Sequence, residues 1–150
     1  MANSDSLASA SGDSVSNFRL GVARGVSLSA TGNAVVAIPI LSGGLTAGST
    51  AATSGEVIVR RITVQNPSGS VASANVSIGF TNDGGNLITA NTVISSVAGV
   101  GRFQDIAVTS TYQTTAITGN QTQAFYVNVN TASGNSNTVD IVVWGDVISF

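Results

Sequence analysis

The sequence predicts an all-β fold, a single-domain antiparallel β-sandwich and, in the commonest version for this length, a jelly roll. Three observations predict it. Apolar residues recur at every second position in short runs, which is the period of a half-buried strand. Clusters of Gly, Asn, Ser and Thr separate those runs at short intervals. No window carries the 3.6-residue apolar period of an amphipathic helix. At 150 residues the chain is one domain, able to bury about 68–70% of its unfolded surface.

The first 17 residues, MANSDSLASASGDSVSN, have neither a basic region nor an apolar stretch and do not form a signal peptide. They read as an extended N-terminal arm (1–17) ahead of the β-body (18–150), lying on its own domain or on a neighbour. Fully extended, such an arm reaches roughly 55–60 Å. No stretch has the apolar length to span a bilayer, so a soluble protein made in the cytosol is expected.

From Phe18 the strands follow one another. Phe18, Leu20, Val22, Val26 and Leu28 alternate with Arg19, Gly21, Ala23, Ser27 and Ser29, and Thr31-Gly32-Asn33 ends the run. Val36, Ile38 and Ile40 make a second strand; Pro39 cannot donate to a ladder, which puts that strand at an edge. Residues 42–55 are a Gly/Ser/Thr/Ala loop. EVIVRRITVQ (56–65) and VASANVSIGF (71–80) are two alternating runs around Asn66-Pro67-Ser68-Gly69, whose residue types suit a type I turn, and the pair reads as a β-hairpin. In its second arm Ala72, Ala74, Val76, Ile78 and Phe80 share a dry face, and Ser73, Asn75 and Ser77 the other.

Beyond TNDGGN (81–86) come a weak run around Val93, Ser95 and Val97, a strand over 102–109 with Ile106 and Val108, and a polar loop over 110–122. Phe125, Val127 and Val129 then lead through Ser133-Gly134-Asn135 to Val139, Ile141 and Val143, a second apparent hairpin. The last strand also carries Val142 and Trp144 on its opposite face; a strand apolar on both sides belongs in the interior of a sheet. Asp140 and Asp146 fall on the Trp144 face, where each needs a partner if buried. The total is about seven to nine strands.

Composition narrows the chemistry. With no Cys, His or Lys, the usual nucleophiles, bases and Schiff-base donors are missing, and disulfides and thiolate metal sites are excluded. The hydrolase left open is a carboxylate-pair glycosidase using Asp140 and Asp146, or Glu56 and Asp105, against which stands the ordinary use of acids for solubility. Asn82-Asp83-Gly84-Gly85-Asn86 offers oxygen ligands to calcium, or simply makes a hairpin turn, since the spaced acids of a calcium loop are absent. Neither a catalytic residue, a metal nor a cofactor is expected.

Only 8% of residues are charged, with five arginines, seven acids and a formal net charge of −2. An ordinary domain is about 25% charged, so this surface is either covered by other subunits or merely rich in Ser, Thr and Asn. Arg60 and Arg61 are adjacent on a strand: one must enter the apolar face among Ile58, Ile62 and Val64 unless a bulge frees both. They suit pairing with a partner's carboxylates or an internal salt bridge to Asp140, Asp146 or Glu56. With Arg19 and Arg24 they are the candidate partner-binding residues. The net acidity and scattered cations argue against nucleic acid.

The polar arm, the Ser/Thr/Asn/Gly-rich β-body, the stretch VIVRRITVQNPSGSVASANVSIGF and the closing WGDVISF together resemble the capsid decoration (cement) proteins of tailed bacteriophages. The resemblance runs from Phe18 to Phe150 and rests on style, without a signature motif. It implies a small trimeric β-sandwich made in the host cytoplasm and carried on the capsid exterior of the virion. There it binds the major capsid protein between capsomers and locks the expanded shell, without catalysis. Phage tail, fibre and spike modules share this style, so a module binding host-surface glycan is the alternative, as is a shell-forming subunit. A glycan site needs an aromatic platform, for which Trp144, Tyr112 and Tyr126 are the candidates.

Overall fold

A computed structural model of the chain describes residues 14–39, 56–111, 117–118 and 124–148. The protein is all-β, with two antiparallel sheets. The first contains β1 (Ser14–Ser27), β3 (Glu56–Gln65), β6 (Gln104–Ile106), β7 (Ile117–Thr118) and β9 (Thr138–Ile148). Its order is β1-β9-β3-β6, with β7 beside the start of β3. The second contains β2 (Gly32–Pro39), β4 (Asn75–Gly79), β5 (Thr92–Val93) and β8 (Ala124–Thr131), in the order β2-β8-β4-β5. Among the described residues the only helical backbone is at Ser110 and Thr111, and no helix is long and apolar enough to cross a membrane.

One apolar cluster draws on both sheets. Leu20, Val59, Ile62, Val64, Ile141 and Val143 come from the first, and Ile38, Val76, Ile78, Phe125 and Val127 from the second, all fully buried. β9 lies between β1 and β3, as its two-faced apolar pattern requires: Val139, Ile141 and Val143 enter the core while Val142 and Trp144 occupy the outer face. β2 is an edge strand, and Pro39, in register with Ala124, costs no interior ladder bond there. At the opposite edge the two sheets are tied together by a Thr89–Val108 bridge, with Thr109 N donating to Ile88 O at 2.9 Å.

Bulges in β3 and β1 reset the alternation. In β3 the pairing steps from Val59–Gly145 to Arg61–Trp144, leaving Arg60 as an extra residue. Val57 and Val59 before it, and Ile62 and Val64 after it, therefore share the core face, and both arginines reach solvent. The register shifts of β1, between Arg19 and Gly21 and between Ala23 and Val26, do the same. They put Ala23 in the core and leave Val22, expected inside, only half-buried.

The apparent hairpins are not hairpins. β3 and β4 lie in different sheets, and so do β8 and β9. At the first crossing Asn66 adopts a φ of 49° and Pro67 is buried, which turns the chain out of the first sheet. Ser68 N donates to Thr138 O and Thr138 N to Ser68 Oγ, each at 2.9 Å, so the chain follows the start of β9 before entering β4. At the second crossing Ser133 N donates to Leu28 O at 2.8 Å, and the amides of Asn135 and Asn137 both donate to Ser70 O. The crossings are thus laced together at one end of the body.

Other boundaries also move. β1 begins at Ser14, so residues 14–17 of the expected arm belong to a strand, with Ser14 and Val15 paired with β9; residues 1–13 lie outside the described residues, as does the 42–55 loop. The weak run at 93–97 contributes only Thr92 and Val93 to a strand, because Ile94 and Val97 are the buried residues and Val97 N closes a turn onto Ile94 O at 2.9 Å. The expected loop over 110–122 contains β7, which pairs with Glu56 and Val57. On β4 the dry face is as expected, with Ala74, Val76 and Ile78 buried. Ser77 on the other face is buried as well, since β4 is an interior strand and Asn130 Nδ2 reaches the Ser77 hydroxyl at 3.3 Å.

Candidate functional site

The outer face of the first sheet gathers most of the residues with chemistry. Trp144 of β9 has Arg19 of β1 directly opposite on one side and Arg61 of β3 on the other. The Arg61 guanidinium lies 5.3 Å from the centre of the indole ring, a cation–π contact. The Trp144 Nε1 is buried with no hydrogen-bond partner among the described residues, so the donor a sugar would need points away from solvent.

Three acids of the first sheet, Asp105, Asp140 and Asp146, are engaged. Arg60, displaced by its bulge, contacts Asp146 Oδ2 through Nη2 and Nε, both at 2.7 Å. Asp140 Oδ1 accepts from Gly25 N at 3.0 Å and its Oδ2 from Asn66 Nδ2 at 2.9 Å. Gly25 has a φ of 62° and Asn66 of 49°, so Asp140 pins the β1 bulge and the β3 exit together. Asp105 Oδ1 accepts from Thr63 Oγ1 at 2.7 Å. Asp140 and Asp146 sit six positions apart on one strand, roughly 20 Å, and Glu56 and Thr63, the β3 partner of Asp105, seven apart. Both separations exceed the roughly 5–9.5 Å of a glycosidase carboxylate pair.

Of the four candidate arginines, the structure brings Arg19 and Arg61 to Trp144, sends Arg60 to Asp146, and leaves Arg24 exposed beside Gly25 in the β1 bulge. Among the described residues, the internal salt bridge weighed for the Arg pair is made by Arg60, to Asp146. The residues that sequence reasoning missed are apolar: Val93 at the end of β5, and Val100 and Phe103 in the β5–β6 connection, are exposed. Their signal was Val100 and Phe103 set among Gly99, Gly101 and Arg102, with Phe103 out of step with Ile106 and Val108 in the expected 102–109 strand.

The 81–86 segment is a turn. Phe80 N donates to Asn86 O at 3.2 Å and Gly79 bridges Leu87, while Gly84 (φ 82°) and Asn86 (φ 46°) supply the left-handed positions. Asp83 Oδ1 is occupied internally, accepting from Thr81 Oγ1 at 2.7 Å and Gly85 N at 2.8 Å. Among the described residues no three His, Cys, Asp or Glu side chains converge on a point.

The Thr81 hydroxyl, then the Gly85 amide, hold the Asp83 carboxyl below its ordinary 3.8. A lowered folded value means that the stabilisation is present above pH 3.8 and lost as pH falls through the folded pKa. The Gly85 amide proton is expected to titrate in NMR with a midpoint below 3.8; a midpoint at or above it contradicts this turn geometry.

A scan against protein-family models, a search of curated proteins and a search of solved structures each found no match.

Proposed function

We propose that this chain is a virion structural protein, a decoration module that binds the outside of an icosahedral phage head between capsomers and stabilises it. The observation that carries the reading is the strand order. With the two-residue β7 set aside, one sheet runs first, last, third, sixth and the other second, penultimate, fourth, fifth. That order supports a β-sandwich of the jelly-roll type, an arrangement common among viral capsid and lectin domains.

Two further features support the capsid side. The engaged acids form no carboxylate pair, and Trp144 is covered by Arg61 in place of a free stacking surface. The weakly charged surface suits wide apolar and hydrogen-bonded contact with a major capsid protein. Arg19 and Arg24 are the arginines offered to such a partner; Arg60 and Arg61 hold the sheet face in shape.

The test is cryo-electron microscopy and heat challenge of particles assembled with and without the chain. We expect two-sheet density on the outer surface between capsomers, and particles lacking the chain to be complete but to rupture at a lower temperature. Density in the tail or within the continuous shell, or particles equally heat-stable without the chain, would overturn the decoration role. Removing residues 1–13, which precede the first β1–β9 pair, should leave the melting temperature of the free protein unchanged while weakening its attachment.

A further inference from the structure

We propose that the β5–β6 connection is a self-association surface on which a second copy of this chain docks, whatever larger particle it joins. Among the described residues the exposed large apolar side chains are Val93, Val100 and Phe103, at 50%, 77% and 63% exposure, and all three fall between positions 93 and 103. Singly scattered exposed apolar residues need no explanation, whereas the largest apolar patch of a domain is often a functional contact.

The connection is built to present them. Ile94 and Val97 are fully buried beneath it. The Gln104 side chain staples it from within, accepting from Ser96 N at 2.9 Å and donating to Val93 O at 3.0 Å. Arg102 N closes a turn onto Gly99 O at 3.2 Å, with Gly101 at a φ of 77°. A surface already ordered loses little conformational entropy on binding.

Charge identifies the occupant. Arg102 is exposed and has no ion-pair partner among the described residues, and Asp105, three positions on, is exposed with only Oδ1 taking a described hydrogen bond. Along the chain the exposed apolar residues are thus accompanied by one cation and, just inside β6, one anion, a set that a second copy complements. In a symmetric pair Arg102 of each copy meets Asp105 of the other. A net charge of −2 and the absence of lysine leave little repulsion between copies. The three side chains expose on the order of 300 Å², against about 800 Å² per partner for a standard interface, so the association is weak and concentration-dependent.

The test is sedimentation velocity on the full chain from about 5 to 500 µM. The sedimentation coefficient is expected to rise with concentration for the wild type and to stay at the monomer value for Val100→Ser/Phe103→Ser. Arg102→Asp should weaken association about tenfold, and adding Asp105→Arg should restore it. Circular dichroism confirms that each variant is folded; if the serine variant is not, the charge exchange carries the test alone. A wild type monomeric throughout, association untouched by either change, or a charge exchange that fails to restore it would overturn the proposal.

Discussion

Replacing Gly145 with alanine is expected to destabilise the protein by about 3 kcal/mol or more, lowering its melting temperature by roughly 6–12 °C. Gly145 is paired with Val59 on one side and Phe18 on the other, in the middle of the first sheet. A Cβ built there falls onto the carbonyl oxygen of Ile58 and lies 2.6 Å from Leu20 Cδ1. Leucine can turn aside, but the carbonyl belongs to the adjoining strand and cannot move without breaking the β3–β9 ladder. Gly99→Ala is the control, since a Cβ there meets nothing within 4 Å; its effect should stay within about 0.5 kcal/mol. Chemical denaturation of both variants measures the difference, and equal midpoints would mean that β9 is not held this closely against β3.

Phe125→Ala is expected to cost about 3–5 kcal/mol, the range for emptying an aromatic site in a well-packed core. Phe125 is among the largest fully buried side chains and belongs to the shared cluster, opposite Ile38 in the β2–β8 register. Neighbours on two sheets, each held by its own ladder, cannot collapse to fill the void. A domain of ordinary stability has only about 5–15 kcal/mol to lose, so the variant should unfold at a much lower denaturant concentration with a similar slope. Phe103→Ala removes the same side chain from a site that is 63% exposed and should change stability by less than about 0.5 kcal/mol. Comparable losses at the two positions would contradict the assignment of one to the core and the other to the surface.

Residue types and their alternation determined the all-β character, the edge position of β2 through Pro39, the interior position of β9 through its two apolar faces, and the choice that Arg60 and Arg61 posed between a buried charge and a bulge. These are short-range properties: a side chain's polarity and its parity along a strand are settled within a few residues. Which sheet a strand joins is settled elsewhere. The residue types at Asn66–Gly69 and Ser133–Asn135 mark turns but not hairpins or crossings, because a turn between alternating runs looks the same whether the chain folds back or crosses over. The crossings depend on partners far away in sequence: Thr138 for Ser68, Leu28 for Ser133, and Asp140 for Asn66. The exposure of Val93, Val100 and Phe103 is of the same kind, since burial follows from where Ile94, Val97 and Gln104 anchor the connection between two sheets, and only the assembled fold decides that.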